Sequence, residues 1–408
     1  MFESLLEILD SLRKNKLRNL LTALSVAWGM FMLVILLGAG RGLQNGVEWE
    51  FRHEAVNSIF VGSGLTSIPY KGRRPGRDIA FKNADYEVLP RAIPKIDQIT
   101  GRFYLWGEYT VSHRGKHSAF DIRGVHPHHQ HLEKTVMVEG RYLNALDIAE
   151  RRKVAVIGSL VKDFLFEKRD AIGELINIRG LQYTVVGVFQ DAGGEAQLRQ
   201  IFVPISTAQL IYNAPQRIHH LWFTIGDADV EESRAIAEKT HTLMAARHQF
   251  SLEDRRAVRV TNNFEQYVRM TRVFTWIRVF VWVVGIGTLL AGIVGISNIM
   301  LISVAERTKE IGIRKALGAT PASIIGMIMA EAVLITAAAG YCGLVAGVGC
   351  IELAARFLPE LPFLRDPDVD LRVALVATAI IVLAGALAGF FPAWRAARVS
   401  PIAALRDD

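Results

Sequence analysis

The sequence predicts an α-helical membrane protein: four transmembrane helices with a large mixed α/β domain inserted between helices 1 and 2. Three observations predict this. First, the 408 residues are 51% hydrophobic and 21% charged, too much charge for a chain held wholly in lipid. Second, the apolar residues gather into runs. Residues 19–40, 279–305 and 373–394 contain no Lys, Arg, Asp or Glu, and 332–351 is a fourth such run, extended backward across Glu331. Third, the long stretch between the first two runs alternates short strand-like and helix-like segments. A helix needs roughly 20 apolar residues to cross a bilayer, and lipid offers the backbone no hydrogen-bond partner, so each run must be helical.

The first run outlasts the apolar stretch of a secretion signal, roughly 7–15 residues. It ends in Gly38-Ala-Gly-Arg-Gly42 without a cleavage context, so it reads as a retained anchor. Orientation follows from basic residues in the short flanks. Arg13, Lys14, Lys16 and Arg18 precede the first span; Arg307, Lys309, Arg314 and Lys315 lie between the second and third; Arg395, Arg398 and Arg406 follow the fourth. The loop between spans three and four has only Arg356, Arg365 and Arg372, against a larger number of acids. Both termini and the segment 306–321 are therefore expected in the cytoplasm, and the region from about Leu43 to Arg272 outside. This topology accounts for most of the net charge of +7, and no nucleic-acid partner is expected.

The domain plan is then an amphipathic N-terminal helix and first span (1–43), an external α/β domain (44–272) and the second span (273–305). A cytoplasmic segment (306–321), the third span (322–352), a short external loop (353–371) and the fourth span with the C-terminus (372–408) complete it. Within the external domain, Ser58 to Val61 reads as a strand. Residues 83–96 read as a helix with Asn83 as N-cap and acids in its first turn. Tyr109 to His113 and Ala119 to Arg123 alternate with period two. Val154 to Ile157 is a buried-strand run leading to a helix over 160–167. Glu174–Arg179 and Tyr183–Phe189 flank Gly180 as a hairpin. Ile201 to Pro204 leads to a helix capped at Ser206, Leu221 to Ile225 is a strand, and Val230 to His248 is a long helix. Phe264 to Arg272 runs as helix into the second span. Strands from about 105 to 215 form an inserted β-rich subdomain.

No catalytic set stands out. The chain has no Gly-x-Ser-x-Gly, no His-Glu-x-x-His and no phosphate-binding Gly-x-x-x-x-Gly-Lys-Ser/Thr, so no cofactor is expected on it. If ATP and Mg are used, another chain binds them. The cluster His126, His128, His129 and His131, with His113 and His117 upstream, offers imidazoles to Zn or Cu. It lacks visible rigid spacing and is expected to be a solvated loop, with no metal. Cys342 and Cys350 share one span and cannot bridge. The external domain has no cysteine and must rely on its core. Gly38 and Gly42, Gly343 and Gly347, and Gly385 and Gly389 are spaced to let helices pack closely in lipid. Glu331 is the ionisable residue within a span, where a carboxylate is a functional candidate; an interfacial or structural role is expected.

The segment Glu306-Arg-Thr-Lys-Glu-Ile-Gly-Ile-Arg-Lys-Ala-Leu-Gly-Ala-Thr-Pro321 is too short to bury a core and can serve as a handle. Glu306, Glu310 and Arg314 are spaced by four on one helix face. Ile311, Ile313, Ala316 and Leu317 give it an apolar side, Gly318 can end the helix and Pro321 prevents its continuation. With Ala305, this segment resembles the signature joining the second and third helices of MacB-type ABC permeases. Residues 391–406 (Phe-Pro-Ala-Trp-Arg-Ala-Ala-Arg-Val-Ser-Pro-Ile-Ala-Ala-Leu-Arg) are similar to that family's C-terminal signature. Residues 11–22 resemble its amphipathic N-terminal helix. Glu139-Gly-Arg-Tyr, Val154-Ala-Val-Ile-Gly and Val203-Pro-Ile-Ser-Thr207 resemble its periplasmic core, a porter-like fold.

The resemblance implies a multi-pass permease subunit of the bacterial inner membrane that lacks the fused ATPase domain of MacB. It implies a separate ABC ATPase subunit, a second permease copy as homodimer or heterodimer, surrounding membrane lipids, a periplasmic membrane-fusion protein and a TolC-like outer-membrane duct. It also implies that Glu306, Arg307, Lys309, Glu310, Ile311, Arg314, Lys315 and Leu317 form a coupling helix. Transmission of ATP-driven motion to export peptides, antibiotics or other envelope substrates would follow. An FtsX-like subunit controlling a periplasmic cell-wall hydrolase, or a lipoprotein-releasing permease, is the alternative.

Overall fold

A computed structural model describes residues 16–50, 54–105, 109–191, 194–357 and 371–398. From the amino end, α1 (Lys16–Glu50) is followed by β1 (Ser58–Ser63), β2 (Phe81–Lys82), α2 (Asn83–Ala92), β3 (Ile99–Tyr104), β4 (Tyr109–His113) and β5 (Lys116–Val125). Next come α3 (His129–Leu132), β6 (Val136–Gly140), α4 (Ala145–Ala149), β7 (Val154–Gly158), α5 (Ser159–Phe166), β8 (Leu175–Ile178) and β9 (Leu181–Gln190). Then follow α6 (Glu195–Leu198), β10 (Gln200–Pro204), α7 (Ile205–Ile211), β11 (Arg217–Ile218), β12 (His220–Thr224), α8 (Val230–His248) and β13 (Val258–Asn262). The chain closes with α9 (Asn263–Glu306), α10 (Thr308–Ala316), α11 (Pro321–Phe357) and α12 (Leu371–Ala397). It divides into two units, one from Glu48–Thr271 and one from the segments on either side.

In the helical unit, α1, α9, α11 and α12 are each long and apolar enough to cross a membrane. Helix α1 runs through Gly38 and Gly42, both buried, to Glu50, because a helical glycine costs only about 1 kcal/mol. Glycine sets the approach of its neighbours. A Cβ on Gly343 would lie 2.2 Å from the Ala27 carbonyl oxygen, and one on Gly347 2.9 Å from Val34 Cβ, so α11 meets α1 backbone to backbone. Gly385 and Gly389 would likewise collide with Thr336 and Ala332 of α11. Gly285, not singled out from sequence, makes room on α9 for Leu33. Of the expected N-terminal helix at 11–22, residues 16–22 form the start of α1. Of the expected loop 353–371, residues 353–357 continue α11 and Leu371 opens α12. Residues 11–15, 358–370 and the end of the C-terminal signature lie outside the described residues.

In the other unit, β10 pairs with β7 and, in parallel, with β5. The order β10–β7–β9–β8–β4–β5 therefore closes on itself. Alternating side chains of these strands, among them Val111, Phe120, Ile157, Ile176, Val185 and Ile201, are fully buried in one cluster, each contributing about 1.5–3 kcal/mol by leaving water. Strand β5 also pairs with β3, which leads through β12 and β1 to β13. The β8–β9 hairpin turns at Arg179 and Gly180, both with positive φ (52° and 86°), the backbone that suits the strands' twist. Helix α8 opens with a reciprocal cap between Asp229 and Glu232.

Two expected caps differ. Lys82, not Asn83, occupies the N-cap of α2. Asp85 accepts from the Lys82 N–H at 2.8 Å, while the Asn83 amide pairs with Gln209. The helix stops at Ala92 because Ile93 precedes a proline and leaves the helical region. Ser206 does not cap α7: the helix starts at Ile205, and the Ser206 and Thr207 hydroxyls donate to the carbonyls of Ile148 and Arg152.

Candidate coupling site

Helix α9 stops at Glu306, and Arg307 leaves helical geometry with φ −104° and ψ 13°. The expected single helix face through Glu306, Glu310 and Arg314 is therefore broken, since Glu306 belongs to α9. Thr308 closes the end of α9, its hydroxyl donating to the Ala305 carbonyl at 2.8 Å. Nine residues on, α10 ends in a Schellman motif. The Ala319 N–H bonds the Arg314 carbonyl, the Gly318 N–H bonds that of Lys315, and Gly318 takes φ +100°, where a Cβ would be strained. Pro321 then opens α11 rather than merely blocking α10. It is the first helical residue, a position that needs no N–H, and Thr320 Oγ1 accepts from the Ser323 N–H.

Side chains of this segment sort into two sets. Turned inward, Ile311 is 3% exposed and packs with Ile296, Met300, Ile324 and Ile328. Arg307 Nη1 reaches Glu331 Oε2 at 3.4 Å, and Glu331 is 6% exposed, so the carboxylate expected near the interface is buried and ion-paired. Lys315 Nζ donates to the carbonyl of Ala397 at 2.7 Å, at the last residue of α12, where the helix dipole favours a cation. Arg314 divides itself between Glu310 (3.0 Å) and the Met327 sulfur (3.1 Å). Turned outward are Glu306, Lys309, Glu310, Ile313, Ala316 and Leu317, the last 83% exposed. Ile311 therefore does not belong to the apolar side that Ile313, Ala316 and Leu317 present. Sequence reasoning missed the Lys315–Ala397 contact. A basic residue at a helix end was visible, but its partner lies 82 positions away.

The histidine cluster is a solvated segment only in part: His128 and His131 are exposed, but His126 and His129 are buried. His126 is buried, accepts the Gly101 N–H at Nδ1 (2.9 Å) and stacks on Tyr86 with ring centroids 4.0 Å apart. Burial pushes its pKa down to about 4. His129 lies in the short helix α3 against Phe202 and Trp222, with Nε2 3.3 Å from Glu133 Oε2; burial, opposed by Glu133, lowers its pKa. Glu133 also meets Arg102 at 2.7 Å and Arg123 at 3.6 Å. Burial opposes its ionisation, but His129, Arg102 and Arg123 hold its carboxyl well below the usual range. Of the two exposed rings, His131 borders a separate cleft with Lys134 and Asp97. The four rings face different neighbours, and among the described residues no three His, Cys, Asp or Glu converge as metal ligands.

Residues 19–240 match the MacB-like periplasmic core domain, and residues 282–401 match the FtsX-like permease C-terminal domain. The macrolide export ATP-binding/permease protein MacB of Bdellovibrio bacteriovorus is 27% identical over 411 aligned positions, covering 100% of this chain and 62% of that protein. The protein of the same name from Rhodospirillum rubrum is 29% identical, covering 97% of this chain and 59% of the relative. This chain thus spans about three fifths of the length of these curated relatives. Among solved structures, the periplasmic region of MacB from Actinobacillus actinomycetemcomitans aligns with 54% of this chain and 94% of its own, at 17% identity and TM-score 0.44. With just over half of its residues carrying the core-domain match and its last helices the permease match, the chain belongs to the MacB-like, FtsX-like family of ABC transporter permeases.

Proposed function

We propose that this chain is a permease subunit that passes the motion of a separate ABC ATPase across the bacterial inner membrane to its α/β unit, for export of an envelope substrate such as a peptide or antibiotic. The observation that carries this reading is the two-sided construction of α10. Arg307 and Lys315 tie its ends to α11 and α12, and Ile311 packs beneath it, while Glu310, Ile313 and Leu317 face away. A handle must be fixed on one side and offer grip on the other. The ATPase would take the outward side, with ATP and Mg bound on that partner, and a second permease copy would complete the transporter. The MacB relatives are named for macrolide export and ATP binding, which supports both the class of cargo and the need for an ATP-binding chain.

The test is co-purification from native membranes followed by reconstitution with the ATPase recovered. Glu310→Lys and Leu317→Asp are expected to leave the permease folded and to cut substrate-linked ATP hydrolysis by tenfold or more. Full coupling in both variants would defeat the handle, and recovery of a cell-wall hydrolase with no ATPase would replace export with signalling.

A further inference from the structure

Helices α1 and α9 enclose a cavity of about 230 Å³ that the coupling reading does not use. Arg41, Gln44 and Arg278 line its polar side, and Leu37, Phe274 and Trp282 contribute to its apolar side. No carboxylate is among the described residues that line it. Its position follows from sequence. Arg41 is the first charge after the apolar run of α1, and Arg278 is the last charge before that of α9. Both guanidiniums thus stand at the same end of their spans, where hydrocarbon gives way to headgroups, and the apolar wall continues from them into the span.

Two cationic side chains lining one partly apolar space offer an anion two attractions, each stronger as the local dielectric falls. Arg278 is held for this role, donating Nη2 to Gln44 Oε1 at 2.8 Å. A guanidinium has five N–H donors in a planar fork that matches phosphate oxygens, so neither arginine needs to be unpartnered elsewhere to serve a phosphate. The apolar wall formed with Leu37 and Trp282 suits an acyl chain, and an aromatic ring at headgroup depth is a usual membrane anchor.

We infer that this cavity binds the phosphate of an anionic phospholipid between Arg41 and Arg278, with its first acyl carbons on the wall formed with Leu37 and Trp282. The inference rests on the membrane placement of α1 and α9 and not on the coupling reading. Free phosphate shares the head-group chemistry but not the chain. The full chain, delipidated in detergent, is titrated in parallel with phosphatidylglycerol, phosphatidylcholine and inorganic phosphate, and melting temperature and lipid retention in native mass spectrometry are read.

Phosphatidylglycerol is expected to raise the melting temperature by several degrees and to stay bound, while phosphatidylcholine and phosphate do little. Arg41→Gln with Arg278→Gln should abolish the shift. Leu37→Trp, which fills the cavity and leaves both charges, should abolish it too. The inference is overturned if phosphatidylcholine or free phosphate matches phosphatidylglycerol on the unaltered chain, or if the shift survives Leu37→Trp.

Discussion

Arg307 Nη1 lies 3.4 Å from Glu331 Oε2, tying the turn before α10 to the third turn of α11. The carboxylate side chain is 8% exposed and the guanidinium 28%, so the two are unequal partners. The acid is the more deeply buried of the two.

That asymmetry predicts the ranking of variants. Arg307→Ala removes one partner of a buried carboxylate and is expected to destabilise the helical unit by about 1–3 kcal/mol. Arg307→Met combined with Glu331→Met removes both charges and should recover most of that loss. Thermal unfolding in detergent measures both; equal losses for the single and double variants would show that the pair is not coupled.

The glycine contacts predict a position-specific penalty. Gly343→Ala places a methyl 2.2 Å from the Ala27 carbonyl oxygen, whereas Gly349 has nothing within 4 Å of the same methyl. Gly343→Ala should cost about 1–3 kcal/mol through overpacking. Gly349→Ala should be neutral or slightly stabilising, since alanine is the better helix former. Parallel melts of the two variants check this.

On α10, the inward and outward sets should separate stability from coupling. Ile311→Ala removes a residue that is 3% exposed and should cost about 2–5 kcal/mol. Leu317→Ala, at a site 83% exposed, should stay within about 0.5 kcal/mol of the parent, yet lower ATPase stimulation by the partner. A variant panel scored for both melting temperature and stimulated hydrolysis distinguishes them.

The α/β unit should weaken on mild acidification. His220 is pushed down from 6.5 to about 4 by burial and by Arg102, His219, Arg259 and Arg123. The unfolded chain then takes up a proton before the folded one does. The stabilisation is complete above pH 6.5 and is lost progressively as pH falls from 6.5 to about 4. His220→Phe should flatten the stability profile across that window by on the order of 1 kcal/mol, because Nδ1 of His220 has no hydrogen-bond partner to lose. Hydrogen exchange of β12 amides against pH reads the slope; an unchanged slope would assign it to other histidines.

The membrane helices were legible because lipid permits so few alternatives: a charge-free run such as 279–305 must be helical. Helix α8 was legible from end to end because its cap and its length are local properties. The parallel pairing of β10 with β5 was not, since it joins strands about 80 positions apart and leaves no mark in either. The inward turn of Ile311 was hidden for a related reason. Four apolar residues crowd this short segment, and which of them turns inward is set by the packing of α9 and α11 beneath it. His129 read as loop because four histidines in six residues look hydrophilic, whereas two aromatic rings and a buried carboxylate claim it.

Strand β5 is a member of the closed ring through β4 and β10 and of the open sheet through β3. A chimera that takes the ring from a relative must therefore carry the whole of Lys116–Val125 and its β3 contacts, or leave a raw edge on one side of the splice. Exchange of parts between relatives is free at the surface turns of the ring and closed at this shared strand.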